Sequence, residues 1–195
     1  MNIIQIGTNT GNDDLTEIIR SHNIQPELLV LVEPLSIHNK KINDCYSWIH
    51  NKIIENIAIR CDNLSEQKFF YCEDDPDYTV ASFNAAHIEN HGYDKNKINS
   101  IIVKCMTIND LFQKYNFKNI DILFIDAEGD DDNILRSIDY NQYNIANIYY
   151  ENLHLPYPQI NTHNFLNDKG YTVTPNVGLN GWSSLAVKNN YVRTK

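Results

Sequence analysis

The chain has 195 residues, with 16 Lys and Arg against 25 Asp and Glu, and its formal net charge of −9 argues against a nucleic-acid phosphate backbone as its main partner. Its length suits a single domain, residues 1–195, with a full hydrophobic core; it shows no membrane-spanning apolar run and no charged-plus-apolar leader at its start. Cys45, Cys61, Cys72 and Cys105 lack Cys-x-x-Cys spacing, so free thiols in a reducing, cytoplasmic setting are expected rather than disulfides or a zinc site.

The first strand is expected at residues 3–6, where Ile3, Ile4 and Ile6 form an apolar run that stops at Gly7. Gly11 follows four positions later, beyond Thr8-Asn9-Thr10, and Asn12, Asp13 and Asp14 then lead into a helix over 12–22. Glycine suits such a turn because a backbone without Cβ takes positive φ and admits a ligand close to the main chain. A second strand over 28–33 carries Leu28-Leu29-Val30-Leu31-Val32 and closes on Glu33. An acid about 20 residues or slightly more beyond the glycine turn is where open α/β sheets hold a ribose diol. The opening therefore reads as a nucleoside-type cofactor site. Its Gly-x-x-x-Gly spacing differs from the Gly-x-Gly-x-x-Gly of pyrophosphate binders, which disfavours a dinucleotide and a dehydrogenase.

A helix is expected over 36–50 and a strand over 55–60. Residues 62–100 then interrupt the alternation with Phe69-Phe70-Tyr71, an acidic stretch from Glu73 to Asp77 and an Asn- and His-rich tract. This reads as an insertion, a short hairpin plus a loop, of a size that tends to be functional; His87 and His91 within it are expected to be solvated loop residues rather than ligands. A strand at 101–104 precedes a helix over 107–116 with Thr107 as N-cap and Asp110 three residues on. After a strand at 121–126, a helix over 130–139 opens with Asp130, Asp131 and Asp132, which suit the helix dipole better than a metal cluster. A strand at 147–151, a helix at 159–169 and strands at 171–176 and 183–188 complete the series. The turn-rich stretch from Asn176 to Gly181 predicts a C-terminal hairpin with an antiparallel last strand. Tyr149, Tyr150, Tyr157, Phe165, Tyr171 and Trp182 are assigned to packing. Strand–helix alternation of this kind predicts an α/β fold: a mostly parallel seven-stranded sheet, the C-terminal antiparallel hairpin, and helices on both faces.

Ligands of open α/β sheets bind beyond the carboxyl ends of the strands. The run Ile120–Ile125 ends in Asp126-Ala127-Glu128-Gly129, which puts Asp126 and Glu128 on the same rim as Gly7 and Glu33. Glu151 adds a third acidic position after Tyr149-Tyr150, with His154 three residues later. Such groups suit general-base and orienting roles, or Mg²⁺ held through Asp126 and Glu151; the residue types leave both open. An ordinary aspartate, with a pKa of about 3.9, is a weak base at neutral pH. Burial, a metal or late proton transfer would have to strengthen it.

Taken in order, these blocks resemble the FkbM family of S-adenosylmethionine-dependent methyltransferases. Gln-Ile-Gly-Thr-Asn-Thr-Gly (5–11) is similar to the family's Asp-x-Gly-Ala-Asn-x-Gly, and Val-Glu-Pro (32–34) to its Phe-Glu-Pro. Thr107-Ile-Asn-Asp-Leu111 followed by Ile120 to Gly129 is similar to Thr-Leu-Asp-Asp-Leu followed by Asp-Leu-Leu-Lys-Ile-Asp-Val-Glu-Gly. Tyr150-Glu-Asn-Leu-His154 resembles the Glu that ends the next strand.

The resemblance implies a Rossmann-like class I methyltransferase fold and methyl transfer, usually to a hydroxyl oxygen of a sugar, glycan or related small molecule. By the same resemblance, Gly7, Thr8, Asn9 and Gly11 would lie against the methionine and ribose of S-adenosylmethionine, and Glu33 would take the ribose hydroxyls. Asn56, Ile57 and Ala58 would flank the adenine. Asp126 and Glu128 would stand near the reacting methyl with Glu151 across the cleft, Asp126 or His154 acting as base and Glu128 or Glu151 orienting substrate. Two positions depart from the family pattern: Gln5 replaces an acid and Phe124 replaces a lysine. No helices precede the first strand to cover a substrate, so the 62–100 insertion or a second subunit of a homo-oligomer is expected to do so. The alternative is a catalytically degenerate binding or partner module, favoured by Gln5 and Phe124 and opposed by the intact Gly7, Gly11, Glu33 and Asp126.

Overall fold

Strands buried on both faces read as continuous apolar runs, and this governs the centre of the molecule. Ile3, Ile4, Ile6 and all of Leu29 to Val32 are buried. The computed structural model describes residues 1–155 and 158–193. Its elements are β1 (Asn2–Ile6), α1 (Asp14–Ser21), β2 (Leu28–Val32), α2 (Asn39–Cys45), β3 (Lys52–Glu55), β4 (Ala58–Arg60), β5 (Glu66–Cys72) and α3 (Ala85–Asn90). There follow β6 (Ile98–Thr107), α4 (Ile108–Lys114), β7 (Asn119–Ile125), α5 (Asp131–Ser137), β8 (Asn144–Glu151), α6 (Ile160–Asp168), β9 (Tyr171–Val177) and β10 (Ser183–Lys188).

The main sheet has seven strands in the order β3-β2-β1-β7-β8-β10-β9. Strands β3, β2, β1, β7 and β8 pair in parallel, and β10 runs antiparallel to both β8 and β9. The expected mostly parallel sheet with a C-terminal antiparallel hairpin is present. Alternate side chains serve opposite faces. Ile3, Leu29, Leu31, Ile122 and Phe124 pack with Leu15 and Ile19 of α1 and Ile42 of α2. Ile4, Ile6, Val30, Val32, Leu123 and Ile125 pack with Leu111 and Phe112 of α4, Leu135 of α5 and Leu166 of α6. Ile6 lies opposite Val32 on one side and Ile125 on the other. The three central strands therefore end flush, and Gly7, Glu33 and Asp126 leave the sheet side by side.

Several elements differ from the sequence expectation. The strand expected at 55–60 is two strands in different sheets, because the chain breaks at Asn56 and Ile57: β3 stays on the edge of the main sheet while β4 leaves to pair with β6. The helix expected over 36–50 is a 3₁₀ turn at Ser36–His38 followed by α2, which ends before Tyr46. The insertion is larger in structure than a short hairpin and a loop. Its β5 pairs antiparallel with β6 along its whole length, making a three-stranded sheet β4-β6-β5. Its acidic stretch is organised by the buried Asp75, which takes the Thr79 hydroxyl at 2.9 Å and the Val80 N–H at 3.2 Å.

The Thr107 cap forms as expected, its hydroxyl taking the Asp110 N–H at 3.1 Å. Asp131 and Asp132 do more than complement a dipole, since both are buried. Asp131 accepts the N–H groups of Ala127 and Glu151, and Asp132 accepts from Arg136 and Thr162. Tyr150 and Tyr171 are core, and Tyr149 and Phe165 pack against it; Tyr157 lies outside the described residues. Trp182, expected to pack, is exposed. All four cysteines are free, and no helix among the described residues is long and apolar enough to cross a membrane.

Candidate functional site

The loop after β1 is shaped by two close approaches. Gly7 has φ +77°, and a Cβ there would fall 1.7 Å from the Asp126 carbonyl oxygen, so only glycine fits between the ends of β1 and β7. Gly11, at φ +81°, lies against the Tyr46 ring. Between them Asn9 takes the left-handed conformation (φ 47°), its side chain donating to the Asp77 carbonyl at 2.8 Å. That bond ties the loop to the insertion.

The Asn9 N–H donates to Glu33 Oε2 and the Leu35 N–H to Glu33 Oε1, both at 2.8 Å. Burial pushes the Glu33 carboxyl up to about 7 although both backbone donors favour its charged form. Each oxygen keeps a free lone pair for a further donor.

Beyond these strand ends lies a cleft with about 640 Å³ of atom-free space, part of it open to solvent. Its lining combines polar residues, Gly7, Asn9, Glu33, Asp126, Glu128 and Asp130, with apolar ones, Val32, Ile57, Ala58 and Ile59 and, from the insertion, Phe69, Tyr78 and Phe83. Of the residues expected at a cofactor site, Gly7, Asn9, Glu33, Ala58 and Asp126 line this cleft. Thr8, Gly11 and Asn56 are not among its lining residues: Thr8 is buried, Gly11 backs onto Tyr46, and Asn56 donates to the Glu33 carbonyl and to Asn39 behind the wall.

Asp126 has no hydrogen-bonded side-chain partner among the described residues. Burial, then the charges of Glu151, Asp131 and Glu128, raise its carboxyl well above the usual range. Glu128 (φ 47°) meets His87 Nε2 at 2.9 Å and His154 Nδ1 at 3.5 Å. Glu151 meets the same His154 nitrogen at 2.9 Å. Burial and the neighbouring Glu128 push Glu151 up to about 8, while desolvation lowers His154. The expected rim acids and histidine are thus brought together: Asp126 and Glu128 line the cleft, and Glu128 joins Glu151 and His154 in a contiguous group at its edge. His87, expected to be solvated, is partly buried against Glu128. Tyr78 and Phe83 went unnamed in the sequence, and Phe69, His87 and Asp131 were read there without a site role; the aromatic spacing of the insertion was the available signal for Phe69, Tyr78 and Phe83.

The two departures from the family pattern are built into the structure. Gln5 is fully buried, accepting from the Tyr46 hydroxyl at 3.0 Å and donating to Asp13 Oδ2 at 2.5 Å. Phe124 is a core residue stacked on Tyr149, with ring centroids 5.7 Å apart.

The methyltransferase FkbM domain model matches residues 5–173. The solved structure of methyltransferase FkbM from Methylobacillus flagellatus superposes with a TM-score of 0.55 at 13% identity, over 95% of this chain and 43% of that one. This chain therefore spans under half the length of that protein, and the likeness is one of fold. No curated protein matches the chain in sequence.

Proposed function

The chain belongs to the FkbM methyltransferase domain family, and from that premise we propose that it transfers a methyl group from S-adenosylmethionine to a hydroxyl oxygen of a sugar, glycan or related small molecule. Residues 1–195 act as one domain in this reading, and the 62–100 region caps the site. When bound, S-adenosylmethionine supplies a methyl group on a sulfonium, an electrophile that needs positioning more than activation. The residues fit such a donor. Gly7 lets the backbone of the first loop approach closely, Glu33 offers acceptor capacity to a diol, and Ile57, Ala58, Phe69 and Phe83 offer an apolar wall to a base. Asp126, without a side-chain hydrogen-bond partner among the described residues, would stand toward the cationic end of the donor.

The observation that carries the reading is the flush ending of β1, β2 and β7. It brings the glycine loop, Glu33 and Asp126 together in the cleft lining, where Glu128 joins Glu151 and His154. In the proposed reaction an acceptor hydroxyl loses its proton as its oxygen gains the methyl. A carboxylate with a raised pKa, or a neutral imidazole, is a competent acceptor for that proton near neutral pH. Asp126 or His154 takes it in this reading; Glu128 and Glu151 orient the acceptor. Four free cysteines suit the reducing, cytoplasmic compartment proposed for the chain.

The test is transfer of isotope-labelled methyl from S-adenosylmethionine to a panel of sugars, glycans and hydroxylated small molecules. Incorporation that falls at least 100-fold in His154→Ala or Asp126→Asn, at saturating donor, supports the assignment. Near-normal turnover in both variants contradicts it. Failure of the folded protein to bind donor at all would replace the enzyme with a non-catalytic module.

A further inference from the structure

Helix α3 carries His87, and His91, its C-cap, follows one turn later on the same side. That face meets His154, which lies beyond the end of β8. The three imidazole rings form a closed triangle, with centroids 4.5, 4.8 and 5.0 Å apart, and one nitrogen from each lies within 4.8 Å of the other two.

The hydrogen bonds around the triangle decide where the lone pairs point. His91 Nδ1 lies 2.9 Å from the His87 carbonyl oxygen, which can only accept, so this nitrogen carries the hydrogen. Neutral His91 therefore presents a bare Nε2. His154 Nδ1 lies 2.9 Å from Glu151 Oε2, and with a cation on its Nε2 it would donate from Nδ1 to that carboxylate. Those two Nε2 atoms are 3.2 Å apart. At that distance the two nitrogens share either a proton or a cation. Two nitrogens on one tetrahedral ion at 2.0–2.1 Å would be about 3.3 Å apart.

Two carboxyl groups border the triangle. Glu128 and Glu151 both reach His154, and among the described residues no lysine or arginine pairs with either carboxylate. An imidazole that donates its second ring N–H to a carboxylate or a backbone carbonyl is the usual arrangement behind a metal-bound histidine. His154 has the first and His91 the second.

We propose that His87, His91 and His154 bind a divalent first-row transition-metal ion such as Zn²⁺, with Glu151 orienting His154 and Glu128 beside His87. Three imidazole donors favour such an ion over Mg²⁺ or Ca²⁺, which prefer oxygen. The ion would pin α3 of the insertion to the end of β8. It would also give an acceptor hydroxyl a Lewis-acid partner beside the cleft. That last role rests on the methyl-transfer reading with Asp126 as the base, since a metal-bound His154 has no lone pair left for a proton; the binding itself does not.

The full-length chain, stripped with chelator, is titrated with Zn²⁺ alone by calorimetry and with Co²⁺ by visible absorption. The expected result is one equivalent bound, with Co²⁺ bands of a nitrogen–oxygen site and a thermal midpoint that rises with added Zn²⁺. His91→Ala, a change at an exposed position, and His154→Ala should each weaken binding at least tenfold, while His22→Ala and His50→Ala leave it unchanged. Absence of stoichiometric binding would overturn the proposal in favour of a proton-shared network, with protonated Glu151 donating to His154. Binding that survives both His91→Ala and His154→Ala would overturn it equally. S-adenosylmethionine is titrated separately into the metal-free protein, so loss of the metal site and loss of the donor site are read independently.

Discussion

A Cβ on Gly7 would lie 1.7 Å from the carbonyl oxygen of Asp126. This contact brings the first loop and the end of β7 together, and it is the tightest constraint on the cleft. Gly7→Ala meets it with both a backbone clash and a positive φ. We expect at least about 2 kcal/mol of lost stability in urea unfolding, together with loss of S-adenosylmethionine binding. An alanine variant of wild-type stability would show that the loop is looser than this contact requires.

Gln5 donates to Asp13 Oδ2 at 2.5 Å inside the fold. Burial already raises Asp13, and the Gln5 hydrogen bond works against that. Gln5→Glu would replace a donor by a second carboxylate, so the pair would take up a proton. The expected outcome is a loss of about 1–3 kcal/mol at pH 8, shrinking as pH falls toward 5. Urea unfolding at the two pH values measures it.

Glu33 carries a further pH signature. Its folded-state value of about 7 lies above the ordinary 4.5, so between these limits the native state holds a proton that the unfolded chain releases. Stability therefore falls as pH rises through this window, by about 3 kcal/mol for this group. Glu33→Gln should remove that slope, and the difference between wild type and variant should level off above pH 8. A diol donating to the carboxylate favours its charged form, so donor binding near pH 6.5 should release a proton. Calorimetry in buffers of different ionisation enthalpy reads that proton directly.

The parts of the fold legible in the sequence are those with local signals. The Ile3-to-Gly7 transition, Glu33 at the end of an unbroken apolar run, Thr107 as a cap and the turn-rich stretch before Ser183 each declare themselves within a few residues. Long-range pairing does not. Ile57-Ala58-Ile59 is equally apolar whether it continues β3 or leaves for β6, so the split of the expected 55–60 strand had no local mark. The pairing of Phe69 with Ile101 spans the whole acidic tract, and the contact of His87 with Glu128 spans 41 residues. A histidine in an Asn-rich stretch looks solvated until the helix carrying it is seen to dock. Gln5 and Phe124 likewise look like defects of a motif from sequence; in the fold each is packed and satisfied.

Titration calorimetry of S-adenosylmethionine and S-adenosylhomocysteine into the purified chain, with Glu33→Ala as the paired variant, tests the central claim most directly. The expected result is one-site micromolar binding, about −8 kcal/mol, lost in the variant while its circular dichroism is unchanged. Binding that persists undiminished in Glu33→Ala, or no binding to well-folded wild type, would contradict a donor site at the ends of β1 and β2.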